Sequence, residues 1–200
     1  NEPNKGKKSI TNIHIKLAQG NYKGVWKHKY SRFLGIPYAQ PAERFVAPKP
    51  IVTKDSDSEI EQDATKWKKT CPQFHNKPLN GIFRDLLKPK SKADEDCLYL
   101  NIFTPAITHP NEKGERKEGN LPVLVFIHGG AFHSGSSSAP IYKPTRWMSK
   151  NPQFVMVTFD YRIGPLGYLI LPETEGKITG NGNFGLLDQI EAIKWIQNNI

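Results

Sequence analysis

Two uninterrupted apolar runs, residues 121–127 (LPVLVFI) and 154–159 (FVMVTF), limit the folds open to this chain more than any other feature. Both are rich in Val and Phe. A strand that is apolar on both faces belongs in the middle of a sheet covered by helices. Each run ends at a turn carrying polar groups, His128-Gly129-Gly130 after the first and Asp160-Tyr161-Arg162 after the second. Further on, Leu186, Leu187, Ile190, Ile193 and Ile196 recur at helical spacing across residues 185–199. Asp188 and Glu191 stand near the start of that segment, where the helix dipole favours carboxylates.

The upstream half has a different texture. Ile13, Ile15 and Leu17 alternate with Asn12, His14 and Lys16, the pattern of a half-buried strand, expected to be antiparallel. Gly20-Asn21 is a turn signal, and residues 22–30 read as the hairpin partner. Residues 33–38 (FLGIPY) are apolar but interrupted by Gly and Pro, so an irregular segment or a strand end is expected. Residues 53–95 are polar and weakly periodic, with room for short helices such as one at Leu86-Leu87. Residues 98–103 alternate again and are closed by Thr104-Pro105, and residues 106–120 read as an exposed loop. An antiparallel start followed by buried strands and a helix specifies an α/β fold with an open, mostly parallel central sheet. Residues 1–200 read as part of one domain. Two long buried strands need more neighbours than the chain supplies, so the fold is expected to be incomplete at Ile200.

Charge is unevenly placed. The net charge is +9; residues 1–120 hold 22 Lys/Arg against 14 Asp/Glu, and residues 121–200 hold 6 against 5. A basic first half raises contact with nucleic acid, glycosaminoglycan or an anionic membrane. The lysines form no dense block and no nucleic-acid motif accompanies them, so a solvated basic surface and no nucleic-acid partner are expected. No apolar run approaches the ~20 residues of a spanning helix. The first residue, Asn1, fits either removal of a leader or a cut piece. The two cysteines, Cys71 and Cys97, fit free buried thiols or a single disulfide.

Ordered motifs then narrow the choice. Phe33-Leu34-Gly35-Ile36-Pro37-Tyr38-Ala39 with Arg44-Phe45, Glu95-Asp96-Cys97-Leu98-Tyr99-Leu100-Asn101, His128-Gly129-Gly130-Ala131-Phe132, Asp160-Tyr161-Arg162 and Asn183-Phe184-Gly185-Leu186-Leu187-Asp188-Gln189 follow one another at sensible spacing. Together they resemble the N-terminal portion of the type-B carboxylesterase/cholinesterase family, from about residue 10 to the end. The resemblance implies an α/β-hydrolase fold and a serine carboxylic-ester hydrolase working through an acyl-enzyme, with no metal or cofactor. Its substrate would be a small carboxylic ester. The family order of serine, acid and histidine places all three beyond Ile200, so residues 1–200 alone are expected to be inactive.

By the same resemblance, the oxyanion of the tetrahedral intermediate would be held by the N–H groups of Gly130 and Ala131, with Gly129 shaping the turn. A negative φ at Ala131 goes with that reading. His128 and Phe132 would brace the loop. Gly135-Ser136-Ser137-Ser138-Ala139 matches a loose nucleophile pattern, but no buried strand precedes it and Pro140-Ile141-Tyr142 follows it, so Ser137 is not read as the nucleophile. Cys71 and Cys97 would form the family's first disulfide, which implies a secreted or luminal protein; no N-x-[ST] sequon occurs. Arg44 and Glu95 would pair, and Arg162 and Asp188 would be structural. The loop between the cysteines holds Phe74 and Phe83 but no Trp, which disfavours the quaternary-ammonium site of a true cholinesterase. The other class compatible with the resemblance is a catalytically inactive relative serving adhesion or ligand binding.

Overall fold

The computed structural model describes residues 11–27, 29–52, 60–73, 82–105, 121–150, 153–170 and 182–200. Its frame is a seven-stranded sheet: β1 (Thr11–Leu17), β2 (Gly20–Trp26), β3 (Tyr30–Pro37), β4 (Glu61–Asp63), β5 (Tyr99–Pro105), β6 (Val123–Ile127) and β7 (Val155–Phe159). The order is β1-β2-β3-β5-β7-β6, with β4 paired to β2. The antiparallel start runs from β1 as far as β7. Two pairs are parallel, β2 with β4 and β6 with β7, the latter aligning Ile127 with Phe159.

Alternation in β1 places Ile13 in the core, with Ile15 and Leu17 packed against it. Its turn lies at Ala18-Gln19, two positions ahead of the Gly20-Asn21 signal; Gly20 opens β2 with φ 137°. Tyr30 belongs to β3 rather than to the hairpin partner. β3 is also longer and more regular than the interrupted FLGIPY reading allows. It runs eight residues, and its one irregularity is a bulge at Gly35 (φ 72°), where the register with β5 shifts between Leu34 and Ile36. The bulge moves the following apolar residues to the other face of the sheet. Tyr30 and Leu34 therefore pack with Phe103, Met148 and Met156, while Ile36 and Tyr38 pack with Leu100, Val157, Phe159 and Trp195.

Among the described residues four α-helices accompany the sheet: α1 (Ile82–Leu87), α2 (Thr145–Met148), α3 (Gly164–Tyr168) and α4 (Phe184–Asn199). The expected short helix at Leu86-Leu87 is α1. The short strand β4 was not legible, because three exposed polar residues carry no alternation. Residues 106–120, read as a loop, lie outside the described residues.

Two expectations are corrected. β7 lies inside the sheet, but β6 stands at its edge, with Leu124 44% and Ile127 41% exposed. In α4 the buried face is Phe184, Gly185, Asp188, Ala192, Trp195 and Ile196, whereas Leu186, Ile190 and Ile193 are exposed. The helix is apolar on both sides, so apolar spacing alone could not say which side meets the sheet.

Candidate active site

The carboxyl ends of β6 and β7 lie side by side, and crevices outside such ends are where open α/β sheets bind ligands. The loop leaving β6 begins with His128, which is 2% exposed. Its ring stacks on Tyr161 at 4.5 Å, and its Nε2 lies 3.7 Å from Asp160 Oδ1. Tyr161 Oη donates to the His128 carbonyl at 2.8 Å. His128 thus braces the loop from below.

The turn itself is backbone chemistry. Gly130 has φ 134°, followed by Ala131 at 52° and Phe132 at 64°. The negative φ that goes with a donor role for Ala131 is therefore not found, and this counts against that role. The turn closes when His133 N–H and Ser134 N–H donate to the Gly130 carbonyl at 3.2 and 3.1 Å. A Cβ on Gly130 would lie 1.8 Å from the Ser134 carbonyl oxygen, so no other residue fits there without rearrangement. Gly129, expected to shape the turn, has an ordinary φ, and a Cβ built on it meets nothing within 4 Å. Gly130 takes the shaping role. No described residue accepts a hydrogen bond from the N–H of Gly130 or of Ala131. Phe132 accepts from Gly164 N–H through its carbonyl at 2.6 Å, while its 62%-exposed ring meets Tyr168 at 5.0 Å.

Left-handed φ in non-glycine residues costs roughly 1–2 kcal/mol each. It persists where the surroundings over-determine it, and such strain clusters at functional sites. Here the surroundings are a buried polar network. Asp160 Oδ1 accepts Ser137 N–H at 2.6 Å and Oδ2 accepts Ser136 Oγ at 3.3 Å. Burial raises the Asp160 pKa above the usual carboxylate value, and His128 and the serine hydrogen bonds pull it partly back. Ser137 is 3% exposed and its Oγ accepts from Asn101 Nδ2 at 3.0 Å. That hydroxyl is held within the loop by the Asn101 amide. Gln73 completes the frame: its Oε1 accepts Gly135 N–H and its Nε2 donates to the Gly135 carbonyl, both at 2.9 Å.

Gln73 was missed from sequence, because a lone Gln in a polar stretch carries no signal. Asp160 was seen only as part of a turn. Its place at the end of a buried strand was the available clue, since carboxylates are rarely fully buried without partners.

The flanking expectations fall on described residues. Cys71 and Cys97 are joined in a disulfide across 26 positions. Arg44 grips Glu95 with two hydrogen bonds of 2.7 and 2.5 Å, and these hold the Glu95 pKa down. Arg162 donates to Asp188 from Nε and from a terminal nitrogen at 2.8 and 2.7 Å, and to the Glu43 and Val46 carbonyls at 3.0 and 2.8 Å. Asp188 is 0% exposed; it serves Arg162, and the helix-dipole explanation for its position is superseded. The side chain of Phe83 and the whole of Phe74 lie outside the described residues. Among the described residues no group of three or more His, Cys, Asp or Glu could hold a metal ion, and no helix is long and apolar enough to cross a membrane.

Comparison with known proteins agrees with this frame. Residues 9–200 match the family model described as the carboxylesterase family. The chain is 38% identical over 174 residues to an acetylcholinesterase of Bungarus fasciatus, covering 85% of this chain and 26% of that protein. It is 36% identical over 194 residues to a para-nitrobenzyl esterase of Bacillus subtilis (strain 168), covering 96% and 35%. A solved thermophilic PNB esterase superposes with a TM-score of 0.73 at 33% identity, over 94% of this chain and 35% of that one. The chain thus spans between a quarter and about a third of the length of these relatives. With the motifs, the sheet order and the matched range in agreement, the chain belongs to the carboxylesterase family, as the N-terminal portion of an α/β-hydrolase fold.

Proposed function

We propose that the full-length protein is a serine carboxylic-ester hydrolase, and that residues 1–200 contribute its oxyanion-binding loop. The observation that carries this reading is the strained turn at the carboxyl end of β6. There two N–H groups, on Gly130 and Ala131, have no acceptor among the described residues. When an alkoxide adds to an ester carbonyl, negative charge develops on the carbonyl oxygen. Preorganised N–H donors stabilise that charge by roughly 3 kcal/mol each. The open space in front of Gly129 lets a carbonyl approach the backbone closely. Ala131 keeps its N–H at positive φ, so the left-handed conformation redirects the donor without removing it.

The serine that adds to the carbonyl, the histidine that takes its proton and the acid that orients the histidine come from beyond Ile200 in this reading. The exposed edge of β6 and the exposed row Leu186, Ile190 and Ile193 are the surfaces that further strands and helices of the domain would cover. The disulfide supports an oxidising, secreted or luminal location. A small carboxylic ester is the substrate class, with no cofactor. The retained strain in the loop favours this activity over an adhesion or ligand-binding role, which would not need it.

The test is covalent labelling of the full-length protein by an organophosphate, paired with turnover of a p-nitrophenyl ester. Labelling and turnover are expected together, and both should fall ~10²-fold or more in Gly130→Ala. Absence of labelling in the folded full-length protein would refute the assignment. Residues 1–200 alone should show neither reaction.

A further inference from the structure

The described surface away from the candidate site carries an unbalanced basic patch. No Asp or Glu occurs between Glu2 and Glu43, nor between Glu118 and Asp160. The fold brings these two acid-free stretches together. Arg32 lies on β3, directly across from Val25, which places Lys27 diagonally beside it on the same face. Lys143 closes the 3-10 turn at Pro140–Tyr142 and leads into α2, whose Met148 is buried against Tyr30 and Leu34 of β3. Tyr142, next to Lys143, packs its ring on Phe126 of β6 at 4.9 Å, on the face of the sheet where Tyr30, Leu34, Phe103 and Met156 lie.

Lys27 has its pKa lowered by burial, then by the charges of Arg32 and Lys143. The Nε of Arg32 is buried without a hydrogen-bond partner. None of the three forms an ion pair with a described residue; the described acids on the neighbouring strand and loop are engaged elsewhere, Asp63 by Thr65 and Asp94 by Lys69. Like charges gathered with no counter-charge among the described residues are unfavourable unless an anion completes them. Beside them α2 presents Arg146 and Trp147, and Trp147 is 60% exposed.

We infer that this face, built from Lys27, Arg32, Lys143, Arg146 and Trp147, docks the protein on an anionic phospholipid surface. The cations supply attraction to lipid phosphate and carboxylate groups. The Trp chooses a bilayer over a soluble polyanion, because its indole is amphipathic and settles at the headgroup level. A purely solvated basic surface has no use for an exposed indole beside it.

The experiment is co-sedimentation of the full-length protein with vesicles of phosphatidylcholine containing roughly one third phosphatidylserine. Pure phosphatidylcholine vesicles and soluble heparin are run in parallel. Binding to the phosphatidylserine vesicles and not to pure phosphatidylcholine is expected, with release by high salt. Lys143→Ala and Arg146→Ala should each lower the partition about fivefold, and Trp147→Ala should lower it at every salt concentration. Ester turnover, which the patch does not serve, should be unchanged in all three. Equal binding to both vesicle types overturns the inference. So does vesicle binding that none of the variants alters, or heparin binding that the charge variants abolish while Trp147→Ala leaves it intact and vesicles are ignored.

Discussion

Asn101 accepts the amide hydrogen of Gly35 through Oδ1 at 3.0 Å, so a side chain of β5 closes the gap that the bulge opens in β3. The same side chain donates through Nδ2 to Ser137 Oγ at 3.0 Å and to Thr158. One buried amide thereby links the strand irregularity to the loop beneath the candidate oxyanion turn. Replacing it with alanine strands several buried polar groups, each costing about 1–3 kcal/mol. Asn101→Ala in the full-length protein is expected to lose about 2–4 kcal/mol in denaturant unfolding. A loss below about 0.5 kcal/mol would show that the link carries no weight.

The turn at Gly130 and Ala131 separates strain from function. Ala131→Gly removes a left-handed penalty of about 1–2 kcal/mol and adds about 0.5–1 kcal/mol of unfolded-state entropy. A small net gain in stability is therefore expected, with ester turnover kept within a few-fold. Thermal unfolding and p-nitrophenyl ester kinetics measured on the same preparation check both halves.

Arg162 and Asp188 are 3% and 0% exposed at the side chain. Removing one partner leaves an uncompensated buried charge, which costs about 3–5 kcal/mol. Arg162→Met should therefore lose that much, and more than Arg44→Met, whose partner Glu95 is 37% exposed at the side chain. Equal losses in the two variants would contradict the burial argument.

Asp160 gives a pH signature of known sign. Its pKa is raised in the fold by burial, so the native state holds that proton more tightly than the unfolded chain does. Its contribution to stability falls as pH rises from the unfolded value, about 3.9, through the raised folded value, and is flat above it. The stability of Asp160→Asn relative to the parent should therefore increase across that window, followed by urea titration at successive pH values. A relative stability that decreases there would mean that His128 and the serines outweigh burial.

The open edge of β6 and the apolar row Leu186, Ile190 and Ile193 predict the behaviour of residues 1–200 when expressed alone. Unpaired strand edges and exposed apolar faces associate. Sedimentation should show self-association, reduced by Leu124→Lys. A monodisperse monomer that binds no hydrophobic dye would contradict this.

The residues themselves determined a good deal. Continuous Val and Phe runs marked β6 and β7 as strands, as alternation marked β1, but did not show that β6 stands at the edge. The ordered motifs carried the family, the Cys71–Cys97 pair, and the Arg44–Glu95 contact. Other features needed three dimensions. Gly35 looked like an interruption because a sequence cannot show that the Asn101 amide, 66 positions away, would satisfy the bulge. α4 carries apolar residues on both sides, so periodicity was symmetric where packing is not. The sign of φ at Ala131 followed from the closure of Ser134 onto Gly130 and from the Asp160–serine network below. The basic patch exists only because Arg32 and Lys143, 111 positions apart, fold onto one face. In each case the missing information is a long-range contact, and local propensity does not record which distant group will satisfy a buried atom or leave it bare.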